Sequence, residues 1–480
     1  MTNGLAERLF ALPPFPGAKP HPAVRAAPGE GAADSAEALI SAWRAHRYRP
    51  AFWQEPEAAH DADAAVGRLL AALATPGDAD RETWLHAEVE RQLLHDLRYH
   101  DPFTGAPTRP AALIAILAGW RDLIAENRPI TAAFGFAHWK RDTVAPLLWA
   151  GRPVPFRPAR LAELERLPDD ALVAVWKARV PDDFLQRLET GPWRVLEVED
   201  GFIRSVGLGA DCVPPLSIVV DDIGIHYDFH RPSRLERLLA EGCFSPEDLD
   251  RARRLRHRLV RDGISKYGVG AARALPRPGG ERRHVLVVGQ VEDDRSVLFG
   301  GAGVTSNLEL LRRVRALEPD AYLVYRPHPD VEAGHRRGAI RPDLTLQHAD
   351  MIDPGNPISA LIGMADDVHV ISSLAGFEAL MQDKTVTTHG VPFFAGWGLT
   401  RDLAPIPARR SARRTIDELI AATLLRYPRY LDPVTNLPCS AEILVQQLLT
   451  GVRRENGALV WLRRMQGKFA GLAKSFAGAR

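Results

Sequence analysis

Cysteine is scarce and scattered in this chain. Cys212, Cys243 and Cys439 are the only three, and no pair has CxxC spacing. That pattern excludes a disulfide framework and a cysteine-based zinc site, and makes a reducing cytoplasm the expected compartment. Long apolar runs are also missing: no stretch approaches the roughly 20 residues of a membrane span. The first residues, MTNGLAERLFALPPFPG, place Glu7 and paired prolines where a signal peptide needs an uninterrupted apolar core. The expectation is a soluble or membrane-peripheral protein. No sign of charge dominates, with 61 Lys plus Arg against 60 Asp plus Glu, so no global field marks nucleic acid as a partner.

At 480 residues, 46% of them hydrophobic, the chain has material for several domains. Residues 1–35, rich in Pro, Ala and Gly, read as a flexible leader. In residues 36–128 apolar positions recur at helical spacing, for example Leu113, Ile116, Leu117, Trp120 and Ile124, and predict a helical lead-in. From about 129 the pattern changes to short β-rich runs separated by helical segments: ITAAFGF, ALVAVWKA, WRVLEVED, LSIVVDD and GIHYD. A second set follows: HVLVVGQ, AYLVYRPH, LTLQH, DVHVISS and TVTTHG. Strands alternating with helices predict an α/β protein with parallel sheets covered on both faces. Two sets predict Rossmann-like domains at 129–270 and 271–410 facing a cleft, followed by C-terminal helices at 411–480. One segment echoes another: LRYHDPFTGAP and PRYLDPVTNLP place Asp101 and Asp432 331 residues apart, each after a Leu-Leu pair. The echo is read as a module-end marker, which makes 36–128 the remnant of an upstream copy; a repeated Asp-Pro turn is the plainer alternative.

Four motifs follow directly on strands, where open α/β sheets bind ligands. After WRVLEV come Glu199, Asp200, Gly201 and Arg204: carboxylates suited to acid–base work on a hydroxyl, and a guanidinium suited to gripping a sugar carboxylate. After HVLVVG come Gln290, Glu292, Asp293, Asp294 and Ser296, a run that also reads as a helix cap. After AYLVY, Arg326 and His328 sit between prolines, a rigid presentation suited to a phosphate leaving group. After DVHVI, Ser372 and Ser373 open a helix whose free N–H groups can receive a phosphate, with Glu378 one turn on and in reach of ribose hydroxyls. The aromatic and Gly-rich segment from Pro392 to Thr400 reads equally as packing or as a ligand loop. Gly457 to Arg480 carries five cations, no acid, and an apolar stripe from Leu462 to Phe476, a helix able to lie on an anionic membrane surface.

In their order and spacing, EDGFIRSVGLGADCVPPLSIVVDDIGIHYD, VLVVGQVEDDRSV, YRPHPDVEAG and SSLAGFEAL through FFAGWGLT resemble the capsular polysaccharide Kdo transferases of the KpsC/LipA type, from about Ala133 to Pro438. The wording of VGQVEDD and PHPDVEAG is most like the second, 2→7-type module of two-module members. The resemblance implies a GT-B fold with the acceptor side in residues 129–270 and the CMP-donor side in residues 271–410, a CMP-β-Kdo donor, and a lipid-linked Kdo acceptor at the inner face of the inner membrane. No cofactor and no metal are implied. Because a β donor gives a β product, it implies retention through a carboxylate intermediate. The nucleophile falls at Asp294, in a Q-x-x-x-D-x-S frame with Gln290 and Ser296. Glu199 or Asp200 then handles the acceptor proton, His328 acts catalytically at the departing phosphate, and Arg204, Gln290, Ser296, Arg326, Ser372, Ser373 and Glu378 bind the donor. A separate 2→4 Kdo transferase and a capsule ABC exporter are the implied partners. Two other readings stay open: a sialyltransferase-like transferase of another CMP-linked keto sugar, and a non-catalytic export component.

Overall fold

The computed structural model describes residues 3–31, 34–54, 64–205, 213–265, 268–269, 274–334 and 336–452. Cys212 and the cationic segment 457–480 lie outside the described residues. No helix among those described is long and apolar enough to cross a membrane.

In chain order the strands are β1 (Val24–Gly31), β2 (His95–His100) and β3 (Pro107–Thr108), then β4 (Ile130–Phe134), β5 (Phe156–Arg157), β6 (Leu172–Val175), β7 (Arg194–Asp200) and β8 (Ser217–Asp221). A short hairpin, β9 (Ile264–Ser265) and β10 (Gly268–Val269), precedes β11 (His284–Val288), β12 (Tyr322–Arg326), β13 (Met351–Ile352), β14 (Asp367–Val370), β15 (Thr385–Thr388) and β16 (Arg401–Asp402). The last two are β17 (Pro428–Leu431) and β18 (Pro438–Cys439).

Strands β11 to β16 form one sheet, parallel throughout, in the order β13-β12-β11-β14-β15-β16. That is the Rossmann order, whose direction reverses between β11 and β14. The central strand HVLVV is buried at every position, as a strand covered by helices on both faces must be. The other large sheet runs β18-β17-β8-β7-β6-β4-β5. Its parallel part, β5-β4-β6-β7, reverses between β4 and β6. Two such sheets face each other across a cleft, the GT-B arrangement.

Several expected elements differ. β8 folds back antiparallel on β7, and β17, where the chain returns from the second domain, pairs antiparallel with β8. Residues 411–450 therefore hold two strands as well as helices. GIHYD forms turns, and LTLQH begins in a helical turn, Pro342–Thr345; Met351–Ile352 supplies the edge strand instead. Nor is the N-terminal segment a flexible leader. Its prolines alternate with aromatics that the core takes up: Phe10 packs on Tyr99 (4.9 Å between ring centroids) and Phe15 on Trp149 (4.9 Å). The helical lead-in also contains two strands, β2 and β3, which join β1 of the N-terminal segment in a three-stranded sheet, β1-β2-β3.

The sequence echo is also an echo in structure. A π-helical turn precedes each copy, at Glu90–Leu94 and Ala421–Arg426. The Tyr99 hydroxyl donates to Leu93 O (2.6 Å), and that of Tyr430 to Leu424 O (2.8 Å). Asp101 accepts from the N–H groups of Phe103 and Thr104, and Asp432 from those of Val434 and Thr435. The turn then needs a left-handed residue, Gly105 at φ 70° in one copy and Asn436 at φ 58° in the other. His100 N donates to Ala23 O, and Leu431 N to Leu216 O, both at 2.8 Å, so β1 stands to β2 as β8 stands to β17. The two copies touch: Trp120 Nε1 donates to Pro438 O (2.7 Å) and Asn436 Nδ2 to Pro16 O (2.7 Å).

An aromatic wedge and one buried ion pair set the two domains against each other. Phe202, just beyond β7, packs on Phe393 of the second domain (4.9 Å) and on His226 (4.8 Å). Glu236 pairs with Arg409 and, at 2.8 Å, with Arg410, whose guanidinium also donates to Pro392 O and Ala395 O. Glu236→Ala leaves the buried Arg410 charge without its partner, at a cost of about 3–5 kcal/mol. Urea unfolding measures this, and a loss below about 1 kcal/mol contradicts the role given to the pair.

Candidate active site

A cavity of about 1360 Å³ lies between the domains and is lined by the carboxyl ends of strands from both. Glu199 and Asp200 end β7 and are half-buried there. The chain turns at Gly201, where a Cβ would lie 2.2 Å from Ser217 Oγ, so only glycine lets β7 bend this closely over β8. Asp200 sits between two cations: Lys140 Nζ approaches Oδ1 at 3.2 Å, and Arg204 Nε donates to Oδ2 at 2.9 Å. Lys140 is buried, with its ammonium 3.3 Å from the centroid of the Trp176 ring.

The neighbouring carboxylates therefore sit in different electrostatic surroundings. Asp200 has two cationic partners, whereas Glu199 accepts the Asp200 N–H (3.0 Å). Burial pushes the Glu199 carboxyl up to about 7, the Asp200 charge adds to the shift, and Lys140 opposes it. Burial lowers Lys140, and the two carboxylates counter this. Glu199 is the member of the pair able to exchange a proton near neutral pH. Arg204 differs from expectation: it is 1% exposed and its guanidinium goes to Asp200, Ser205 Oγ and Val213 O. It fixes Asp200 and offers no free fork to a sugar.

On the facing wall, the three acidic residues after β11 diverge. Glu292 accepts from Asn307 N, Asp293 pairs with Arg336, and Asp294 caps the helix Arg295–Gly300 by accepting from Ser296 N (3.1 Å) and Ser296 Oγ (2.5 Å). They are not arranged as a shared cation site. Asp294 lines the cleft, near enough to Glu199 for its charge to act there. Gln290 ties the reversal point of this sheet: its side chain accepts from Ser372 N (2.8 Å) and donates to Ser372 Oγ (3.2 Å). Since Ser372 Oγ in turn donates to Ser296 O (2.8 Å), that hydroxyl joins loops, and Ser373 caps the helix Leu374–Met381 at the cleft. His328 Nδ1 accepts from Asp330 N (3.1 Å), which places the ring proton on Nε2. Arg326 donates to Asp353 O and Pro354 O, and burial lowers its pKa. Glu378 lines the same cleft.

Among the described residues, one group has metal-ligand spacing, Glu318, Asp367 and His369, with ligand atoms within 4.8 Å of one another. It lies outside the residues lining the cleft, and Arg283 bridges its two carboxylates at 2.7 Å each.

Residues 188–430 match the model of a family described as capsule polysaccharide biosynthesis protein. The chain belongs to that family. Its relatives include the capsule polysaccharide modification protein LipA of Neisseria meningitidis serogroup A, 38% identical over 390 residues, covering 79% of this chain and 54% of LipA. The lipopolysaccharide-processing protein LpsZ of Rhizobium meliloti is 39% identical over 328 residues, covering 66% of this chain and 73% of LpsZ. The chain spans about half the length of the LipA relatives it matches. Two solved structures from Thermosulfurimonas dismutans KpsC are similar. The β-Kdo 2,7 transferase is 34% identical with TM-score 0.55, covering 67% of this chain and 99% of that one. The β-Kdo 2,4 transferase is 33% identical with TM-score 0.57, covering 66% and 98%. This capsule-family chain is thus a KpsC/LipA relative, as its motifs indicated.

Sequence reasoning missed Lys140, Trp176, Tyr227 and Arg295. The Tyr227 hydroxyl donates to Glu197 (3.0 Å) and accepts from Arg295 Nε (3.2 Å), a polar link between the two walls. The strand-end rule that selected Glu199 and Asp294 applies equally to the segments after β4 and β6, and would have found Lys140 and Trp176.

Because Glu199 titrates above the ordinary carboxyl value, ionising it destabilises the fold, and stability falls as pH rises from about 4.5 through 7. Glu199→Gln removes that cost. It is expected to raise stability by about 1–3 kcal/mol at pH 8 and by little at pH 5; denaturant melts at both values read the difference, and equal effects at the two contradict the raised pKa.

Proposed function

We propose that this cleft transfers Kdo from CMP-Kdo to a Kdo-terminated glycolipid with retention of configuration, at the cytoplasmic face of the inner membrane. The observation that carries the reading is the division of labour across the cleft. A carboxyl that exchanges protons near neutral pH lines the same cleft as Asp294 and the phosphate-suited start of the helix Leu374–Met381.

In the first step Asp294 attacks the anomeric carbon of the donor. A carbon–oxygen bond to Asp294 forms as the bond to phosphate breaks, and CMP leaves with the bonding electrons. Ser373 with its helix N-terminus, and the Nε2 proton of His328, receive the phosphate charge. In the second step the acceptor hydroxyl attacks the same carbon, its proton passes to the Glu199 carboxylate, and Asp294 is released. Two displacements restore the starting configuration. Burial, and the neighbouring Asp200 clamped by Lys140 and Arg204, hold Glu199 basic enough for this task. Arg326 and Glu378 border the same donor side. No step calls on a metal or cofactor.

Similarity to the β-Kdo 2,7 and β-Kdo 2,4 transferase structures supports the sugar, and their near-equal likeness leaves the linkage to the motif wording, which favours 2→7. A single set of motifs then calls for a separate 2→4 transferase, with a capsule ABC exporter downstream. With CMP-Kdo and a synthetic Kdo-terminated glycolipid, the purified protein is expected to release CMP and form one new linkage. Asp294→Ala should cut transfer by at least about a thousandfold. Near-normal transfer by Asp294→Ala, with abolition by Asp200→Ala, overturns the nucleophile assignment. Turnover of CMP-sialic acid in place of CMP-Kdo favours the sialyltransferase-like reading, and no turnover of either favours an export component.

A further inference from the structure

The second sheet's reversal point carries the donor-side residues, but the first sheet has a reversal point of its own, and none of the roles above uses it. It lies between β4 and β6. Open α/β sheets form a crevice at such a point, because the connections on either side of it leave in opposite directions. Gly135, directly after β4, has φ 81°, and a Cβ on it would lie 2.5 Å from Trp176 O, so only glycine lets the two strand ends approach this closely. Trp139, Trp176, Arg179 and Asp182 line the cleft from this crevice.

The three cations here are not equivalent. Lys140 is held by Asp200, and Lys177 by Glu189 (3.0 Å) and Glu197 (2.9 Å). Arg179 is exposed in the short turn Lys177–Arg179, its backbone N–H fixed to Trp176 O at 3.0 Å. Its guanidinium has no ion-pair or hydrogen-bond partner among the described residues. A planar fork held on a fixed turn at a binding crevice is suited to bidentate capture of a carboxylate. The half-buried Trp139 supplies an aromatic face, on which the carbon-bound hydrogens of a sugar ring can lie. Asp182, at the start of the helix Asp182–Thr190, supplies an acceptor for hydroxyls.

We propose that the β4–β6 crevice is the acceptor subsite, and that Arg179 selects acceptors whose terminal sugar bears a carboxylate. The inference rests on the transferase reading for its place in the reaction, and adds the residue that sets acceptor class. Glu199, on the neighbouring strand end, lines the same cleft as this crevice and Asp294, where the acceptor hydroxyl must lose its proton.

The test compares a methyl glycoside of Kdo with its carboxamide, titrated calorimetrically into the full chain without donor. The wild type is expected to bind the carboxylate about tenfold to a hundredfold more tightly. Arg179→Gln should bind the two alike, and Arg179→Lys should restore part of the preference. In transfer assays with glycolipids ending in the same two sugars, the ratio of their KM values should collapse towards one in Arg179→Gln. Retention of the preference by Arg179→Gln, or its absence from the wild type, overturns the proposal. Because the binding arm needs no turnover, a protein that discriminates the glycosides yet fails to use CMP-Kdo rejects the transferase reading and leaves the subsite standing.

Discussion

Two adjacent carboxyl groups at the end of a buried strand cannot both carry full charge without compensation. The site is organised around that constraint. Lys140 reaches Asp200 from the segment after β4, and Arg204 reaches it from the turn after β7, so one member of the pair has two cationic partners. The other, Glu199, is left in a desolvated position beside a fixed anion, and its affinity for a proton rises to the neutral range. The cations that serve Asp200 are thereby drawn inside the wall. The substrate-facing cation has to come from elsewhere, and in the first domain it is Arg179.

Geometry makes the second contribution. In each large sheet the parallel strands end on the cleft side, and in each the strand order reverses once. The wedge of Phe202 against Phe393 and the pair of Glu236 with Arg410 bring the two reversal points face to face. The aromatic segment near Phe393 serves that packing: Trp397 is fully buried and its indole N–H donates to Phe393 O (2.9 Å). The chain then returns to complete the first sheet with β17, and the turn that follows repeats the one at Asp101. The first copy, with β1 in the place of β8, packs against the second and covers that edge.

Hydrophobic runs made both parallel sheets legible, because HVLVV and LVAV can be buried on two faces only in such a sheet. The strand-end rule found Glu199, Asp294, His328 and Ser373 for the same reason. Long-range pairing was not legible. Nothing local to Pro428–Leu431 says that it joins a strand more than 200 residues earlier, and proline-rich residues 10–24 look mobile until their aromatics meet a core supplied by Leu113 and Trp120. Arg204 was misread because sequence gives a side chain's chemistry and not its partner. A guanidinium four residues from a carboxylate grips a ligand or its neighbour equally well on paper.

The account turns on Glu199 keeping its proton up to the neutral range beside Asp200. Infrared difference spectroscopy across a pH titration, with Glu199→Gln used to assign the band, measures this directly. A carboxyl band that disappears with a midpoint near pH 7 in the wild type and is missing from Glu199→Gln is the predicted result. A Glu199 band that titrates in the ordinary carboxylate range, near 4.5, would contradict it.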